Sequence, residues 1–156
     1  MNMKKRTEPI AITAEQSKLL ESALRIKILR VLEDEPRTSK QVSNLLQKTP
    51  GNVHYHIQKL LDGGLLLLVG TQTVGGVVEK YYRSVGSLFQ PDVFPDYPFR
   101  EGIPKIRYAT RLSLSAEELV EFRDAVDALL SHWESKQTGG EEYGLTIALG
   151  LIDEGN

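Results

Sequence analysis

Residues 39–66 have the sequence SKQVSNLLQKTPGNVHYHIQKLLDGGLL, in which two helical patterns follow each other closely. Thr38 or Ser39 is expected to cap the first helix, because short polar side chains accept hydrogen bonds from free N–H groups. Thr49 is expected to cap the second helix, and Pro50 suits its first position, where a missing N–H is no loss. The spacing therefore predicts two short helices joined by a tight turn.

The second helix has an apolar side and a polar side, and Gly63 and Gly64 are expected to end it in left-handed conformations. Two helices joined in this way form a helix-turn-helix. In that arrangement the apolar side of the second helix packs inward, and the other side enters the major groove of DNA. The expected inward residues are Val42, Leu45 and Leu46 in the first helix and Val53, His56, Ile57, Leu60 and Leu61 in the second.

The flanking sequence extends this pattern in both directions. A longer helix is predicted from Thr13 to Leu32, with Thr13 as its cap and Pro36 beyond its end. Downstream, strands are predicted at Leu65–Val74 and Val77–Arg83, and Gly75-Gly76 between them is a typical two-residue hairpin turn. Three helices followed by a two-stranded ribbon predict a winged helix-turn-helix domain over residues 1–86.

The same stretch, followed by EKYYRS at residues 79–84, resembles the winged helix-turn-helix of arsenic-repressor-type (ArsR-like) regulators. TPGNVHYHIQKL resembles their recognition helix, Gly64-Leu65 their turn into the wing, and VVEKYYRS the second wing strand of the metal-independent branch. The resemblance covers about residues 17–86, and YATRLSLSAEELVEF at residues 108–122 is similar to the carboxy-terminal part of some such proteins. It implies a dimeric, sequence-specific transcription regulator, usually a repressor.

Two departures from the family pattern affect these expectations. The family turn usually carries glycine and then an apolar residue, where this chain has Gln47 and Lys48. The chain also lacks cysteine, and two of its three histidines, His54 and His56, point in different directions from one helix. We therefore expect neither a metal site nor any other cofactor.

Double-stranded DNA is the expected partner of the polar side of the second helix and of the hairpin tip. Asn52 and Gln58 are the types of side chain that pair with adenine edges, whereas Lys48 and Lys59 suit phosphate groups. Gly51 would let the backbone approach a phosphate at the helix N-terminus. The candidate DNA-binding residues are Lys48, Thr49, Gly51, Asn52, His54, Tyr55, Gln58, Lys59, Thr71, Gln72 and Thr73.

The distribution of charge agrees with a nucleic-acid partner. Residues 1–86 contain 13 basic and 8 acidic side chains, a net charge of +5, whereas residues 87–156 contain 6 and 13, a net charge of −7. Between Arg37 and Lys59 there are four basic side chains and no acidic one. A basic front half joined to an acidic back half favours a polyanion-binding module attached to a different kind of region.

The back half predicts an accessory region. Residues 87–105 hold four of the seven prolines together with four aromatic residues, which predicts a linker packed on the protein. Residues 106–156 show a strand-like alternation, a helix that starts at Ser115 and a second alternation from Tyr143 to Leu151, a β-α-β order. The fold class is therefore α+β, with a small C-terminal region that needs a partner, and a homodimer is expected.

Other classes of function are less well supported. A winged helix that binds protein, without specific DNA binding, remains an alternative for the acidic half. An enzyme is not expected, because the chain has no glycine-rich phosphate loop and no nucleophile or metal motif. The longest apolar run, Leu65–Val69, is far too short to cross a bilayer, and the N-terminus is unlike a secretory signal. A cytoplasmic location without membrane contact is expected, and no small-molecule effector can be named.

Overall fold

A computed structural model describes residues 9–86, 88–91, 97–136 and 139–152. Most of the helices and strands lie in the N-terminal half, and the longest helix lies in the C-terminal half. In chain order the elements are β1 (Ile10–Ile12), α1 (Ala14–Leu19), α2 (Ala23–Asp34), β2 (Arg37–Thr38), α3 (Ser39–Leu46), α4 (Pro50–Asp62), β3 (Leu66–Val74), β4 (Val77–Ser84), β5 (Phe89–Pro91) and α5 (Ala116–Glu134).

The single helix predicted from Thr13 to Leu32 is two helices, α1 and α2. Thr13 does cap the first of them, in a reciprocal pair of hydrogen bonds with Gln16. The break follows from Ser22, whose hydroxyl accepts a hydrogen bond from the Arg25 backbone N–H and starts α2. The Arg25 guanidinium then donates to the carbonyl oxygens of Leu19 and Lys18, which satisfies backbone groups that a continuing helix would have used.

The helix-turn-helix itself forms as predicted. Thr38 caps α3 in a reciprocal pair with Gln41, and the turn is made by Gln47 in the left-handed conformation with φ 52°. Pro50 opens α4 and Thr49 is the N-cap residue as predicted, but the Thr49 side chain does not make the expected capping hydrogen bond. Pro50 supplies the preset φ instead, and it has no N–H that needs a partner.

Of the two glycines after α4, only Gly64 is left-handed, with φ 75°. Gly63 has φ −79°, so left-handed backbone is not what this position requires. A Cβ at Gly63 would meet Cδ1 at the end of the Leu19 side chain, so glycine allows α1 to pack closely against the end of α4 without moving Leu19. The prediction that both glycines are left-handed is therefore wrong for Gly63.

The hairpin after α4 is the predicted wing. Strands β3 and β4 are antiparallel and turn at Gly75 and Gly76, whose φ values are 57° and 79°, as a twisted two-residue turn needs. The register shifts between Leu68 and Gly70, so Val69 is an extra residue in β3. The short strand β2 adds to the free edge of β4, a pairing that its two residues gave no reason to expect.

The core lies between α2, α3, α4 and the base of the wing. Most of the predicted inward residues are buried, and Tyr82 adds the largest buried side chain from β4. Leu45 is an exception, because 49% of it is exposed and it lies on the outer side of α3. The fully buried apolar residues are Ile12, Ile28, Leu29, Leu32, Val42, Leu46, Val53, Ile57, Leu60, Leu65, Leu66 and Tyr82.

Among the described residues of the predicted linker at 87–105, Leu88, Phe89, Pro91 and Tyr97 are half-buried. Strand β5 pairs in parallel with β1, with Ile10 opposite Phe89, and Phe89 packs against the core. Residues 97–105 have no helix or strand, and Phe99 is half exposed. The part of the predicted linker at residues 92–96 lies outside the described residues.

The C-terminal region does not form the predicted β-α-β unit. Helix α5 is present, with Ser115 and Glu118 in a reciprocal capping pair, but none of its residues is buried. The two alternating segments at residues 106–114 and 139–152 are not strands. The physical reason is that a strand is defined by hydrogen bonds to a neighbour, and within the described part of the chain neither segment has one.

Candidate nucleic-acid interface

One side of helix α4 packs against the core, and its other side is exposed to solvent. Val53, Ile57 and Leu60 are fully buried against the rest of the core. The opposite side faces solvent, and it carries no carboxylate before Asp62, the last residue of the helix. The result is an exposed, non-acidic helix surface on a rigid support, which is the geometry that a recognition helix requires.

The structure leaves almost all of the predicted contact residues accessible. They fall into two groups, one along α4 and the turn before it, and the other on the β3 strand of the wing. The exposed members are Lys48, Thr49, Gly51, Asn52, His54, Tyr55, Lys59, Thr71, Gln72 and Thr73. Their contact with DNA stays a prediction.

The first turn of α4 is the most open part of this surface. Thr49, Pro50, Gly51 and Asn52 are all exposed, and no atom lies within 4 Å of the place where a Cβ of Gly51 would be. The free N–H groups at a helix start carry partial positive charge. Lys48 lies immediately before this turn and is exposed too, so the local field favours an anion such as a phosphate.

Gln58 differs from the other candidates because it is turned partly inward. It is half-buried and hydrogen-bonded to the hydroxyl of Tyr82, whose ring lies in the core. Burial raises the pKa of Tyr82, and the hydrogen bond with Gln58 lowers it by a smaller amount. In this arrangement Gln58 braces α4 against β4, and a base contact would require it to exchange partners.

Tyr55 and Lys59 form one unit on the outer side of α4. The Lys59 ammonium lies 5.6 Å from the centre of the Tyr55 ring, and 55% of Tyr55 is exposed. The Tyr55 ring also meets the edge of the His56 ring at a centroid distance of 5.1 Å. The Tyr55 ring thus holds the Lys59 ammonium on the exposed side of α4.

His56 packs as predicted but is not hydrogen-bonded at Nδ1. It is half-buried, and within the described chain its buried Nδ1 has no partner. Burial lowers the pKa of His56, and the positive charge of Arg25 lowers it further. Both effects favour the neutral ring. With the neighbouring His54 exposed and pointing elsewhere, the described residues contain no cluster of three His, Asp or Glu side chains suited to a metal.

The wing presents two different faces. Thr71 lies opposite Lys80 and Thr73 opposite Val78, so these four residues share one face. Gln72 lies on the other face, where its side-chain oxygen accepts a hydrogen bond of 3.0 Å from the Tyr81 hydroxyl. Lys80 is exposed beside Thr71, and it was missed as a candidate although the hairpin register predicted from Gly75-Gly76 places it there.

A family model described as a helix-turn-helix domain matches residues 20–69, from the end of α1 to the middle of β3. The comparison with curated proteins gives no match. The matched range contains α2, α3 and α4, so residues 20–69 are a helix-turn-helix domain, which indicates a DNA-binding regulator. Among the described helices, none is both long and apolar enough to cross a membrane.

Proposed function

We propose that this chain is a sequence-specific DNA-binding transcription regulator of the ArsR-like type, and that it acts as a homodimeric repressor. The observation that carries the proposal is the open side of α4. It is exposed from Thr49 to Tyr55, it is free of acidic side chains, and it belongs to a helix-turn-helix whose opposite side is fully buried. No catalytic activity and no resident cofactor form part of this proposal.

In the proposed complex, α4 lies in the major groove with its N-terminal half against the bases. Asn52 and Tyr55 are the exposed side chains best placed to contact base edges, and Asn is suited to adenine. Lys48, Lys59 and the backbone at Gly51 would hold phosphates on either side of the groove. Gln58 would join them only after leaving the Tyr82 hydroxyl.

The wing would follow the backbone beside the groove that α4 occupies. Its β3 strand offers Thr71 and Thr73, and Lys80 on the paired strand adds a positive charge to the same face. Gln72 is on the opposite face and bonded to Tyr81, which makes it a weaker candidate. The wing would therefore supply affinity through phosphate contacts more than base readout.

One α4 reads only a few base pairs, so sequence-specific repression would need two copies on neighbouring half-sites. Half-sites for such dimers lie about 34–36 Å apart, one turn of B-DNA. A protein bound in this way blocks access to the same stretch of duplex, which is repression by operator occlusion. The expected location of such a regulator is the cytoplasm.

The test is selection of bound sequences from a random duplex library at about 0.15 M salt, followed by binding measurements on the selected duplex. The double variant K48A/K59A should bind every duplex at least about ten-fold more weakly, with a shallower salt dependence. N52A should lose preference for its base while keeping non-specific binding. The control is K18A/K136A, which removes the same charge from residues outside this surface.

If no sequence is enriched over the starting library, the proposal is wrong and the winged helix is better regarded as a protein-binding module. If K48A/K59A and N52A change binding in the same way, α4 is not the helix that distinguishes bases from phosphates. A loss of binding in K18A/K136A equal to that in K48A/K59A would show that total charge, and not the α4 surface, determines affinity.

A further inference from the structure

The two segments that flank α5 leave a large amount of apolar surface in water. We call residues 105–114 the basic segment and residues 139–152 the acidic segment. In the basic segment Ile106 and Tyr108 are 82% and 92% exposed, and in the acidic segment Leu151 is fully exposed. Exposed apolar surface on this scale marks a site of contact with another molecule.

Both segments have the sequence pattern of half-buried strands. Large apolar side chains alternate with small or polar ones, which places all the large ones on one face of an extended chain. Neither segment has a strand neighbour within the described chain, so its backbone groups are available for pairing. The large alternating residues are Ile106, Tyr108, Leu112 and Leu114 in the basic segment and Tyr143, Leu145, Ile147, Leu149 and Leu151 in the acidic segment.

Helix α5 between the segments contacts the rest of the protein through ion pairs and through the half-buried apolar side chains of Phe122, Val126 and Leu130. The Arg30 guanidinium on α2 lies 2.6 Å from a carboxylate oxygen of Glu134 and 3.4 Å from one of Asp127. By contrast, Leu129 and Trp133 on α5 are more than half exposed. One side of α5 is therefore partly covered by the chain itself, whereas Leu129 and Trp133 remain open to a further partner.

The charges of the two segments are complementary. The basic segment contains Lys105, Arg107 and Arg111 and no acidic residue. The acidic segment contains Glu141 and Glu142 and no basic residue. Within the chain Glu141 lies 2.9 Å from Arg100, and Glu142 accepts a hydrogen bond from the Ala23 backbone N–H; both contacts are exposed to water, and pairing with a second copy would replace them. Each segment thus lacks the sign of charge that the other supplies, and a single kind of chain carries both halves of the match.

We propose that a second copy of this chain covers this surface, by reciprocal pairing of the basic segment of each protomer with the acidic segment of the other. The two pairings form β-strands about a two-fold axis, and the open sides of the α5 helices pack beneath them. This proposal rests on the proposed function for its two-fold arrangement and names the interface of that homodimer. An unrelated protein partner is less well supported, because the complementary charge is already present in the chain itself.

The test uses two charge-reversed full-length chains, K105E/R107E/R111E and E141K/E142K, without DNA. The first chain has two negative segments and the second has two positive ones. Each alone should self-associate at least about ten-fold more weakly than the unchanged chain, because like charges then face each other. An equimolar mixture should regain dimers, because both pairings in the mixed dimer join opposite charges, and native mass spectrometry separates the three possible pairs by mass.

The mixture distinguishes pairing between chains from pairing within one chain. Within a chain, each variant would carry two like-charged segments, and mixing could restore nothing. Any one of three results overturns the proposal: the unchanged chain is monomeric at about 100 μM, both charge-reversed chains still form dimers, or the mixture contains no mixed dimers. The dimers are measured at concentrations around a micromolar-range Kd. The control is K18E/K40E, which reverses charge at exposed sites on α1 and α3.

If a charge-reversed variant does not fold, a second measurement with other variants still tests the proposal. Because the chain has no cysteine, A109C and T146C each introduce a single thiol. A bifunctional maleimide should join A109C to T146C in an equimolar mixture much faster than it joins either variant to itself. Equal rates for the three combinations contradict the reciprocal pairing. Since neither measurement contains DNA, a protein that dimerises in this way and binds no DNA refutes the proposed function alone.

Discussion

The Nε atom of Arg30 on α2 lies 2.6 Å from Oε2 of Glu134, in the last turn of α5. Glu33 and Asp127 each place a carboxylate oxygen 3.4 Å from the same guanidinium. Burial lowers the pKa of Arg30, but Glu134, Asp127 and Glu33 together raise it above its ordinary value. Arg30 thus connects α5 to α2 of the helix-turn-helix domain through a cluster of ion pairs.

The first prediction concerns this attachment. E134Q should release the end of α5 and lower the free energy of unfolding by about 1–3 kcal/mol, because it weakens a hydrogen bond between charged, partly buried groups. Hydrogen exchange should speed up in residues 116–134 and stay unchanged in α3 and α4. The control E35Q removes the Arg37–Glu35 pair, where Glu35 is 64% exposed, and should change stability by less than about 1 kcal/mol. Equal exchange in E134Q and the unchanged protein would contradict the prediction.

The second prediction compares two glycines at the ends of α4. G63A should destabilise the domain by about 0.5–1.5 kcal/mol, because its Cβ meets Cδ1 of Leu19 and that side chain must leave its present rotamer. G51A should stabilise it by about 0.5–1 kcal/mol, because nothing lies near that Cβ and alanine favours helix. Urea denaturation measures both. If phosphate approaches the Gly51 backbone as proposed, G51A weakens DNA binding while the protein becomes more stable.

The third prediction concerns His56 and pH. Burial and Arg25 lower the pKa of His56, so the unfolded chain binds a proton more readily than the folded one. Stability from the neutral ring is complete above the ordinary pKa of about 6.5 and decreases as pH falls from there toward the folded-state pKa. H56L should remove this part of the pH dependence between about pH 7.5 and pH 5 in thermal unfolding, whereas H132Q, at an exposed site, should leave it unchanged.

The fourth prediction separates the two tyrosines of β4. Y82F should cost about 0.5–1.5 kcal/mol, because Tyr82 is buried and its hydroxyl is bonded to Gln58. The loss of stability in Y81F should be only a few tenths of the loss in Y82F, because the Tyr81–Gln72 hydrogen bond is exposed to water. Chemical denaturation of the two variants gives the comparison. Equal losses would mean that the brace between Gln58 and Tyr82 contributes little.

The helix-turn-helix and the wing could be predicted from sequence because their signals are local. Pro50 at the start of α4 and Gly75-Gly76 in the hairpin fix backbone conformations by their own chemistry, and the structure has both. The break between α1 and α2 was missed because Leu20, Ala23 and Leu24 continue the apolar spacing. Ser22 and Arg25 interrupt the helix there through hydrogen bonds that spacing does not reveal.

Pairings between distant segments were not predictable in the same way. Strands β1 and β5 are three residues each and pair across almost 80 positions, so no local pattern marks them. The alternation at residues 106–114 is a real property of the sequence, but it predicts a strand only if a neighbour is present. The apolar side of α4 predicts that the candidate DNA contacts on its other side are exposed. The inward orientation of Gln58 could not be predicted, because it depends on Tyr82 from another element.

Thr38 belongs to two parts of the molecule at once. Its backbone pairs with Tyr81 at the base of the wing, and its side chain caps α3. The wing and α3 therefore share backbone at Arg37 and Thr38, and α2 and α4 also pack against the wing, so the hairpin and the three helices form one packed unit. If α4 and the wing bind DNA as proposed, the distance between them is the same in every copy, and adjustment to differently spaced half-sites would come from the residues after Ser84.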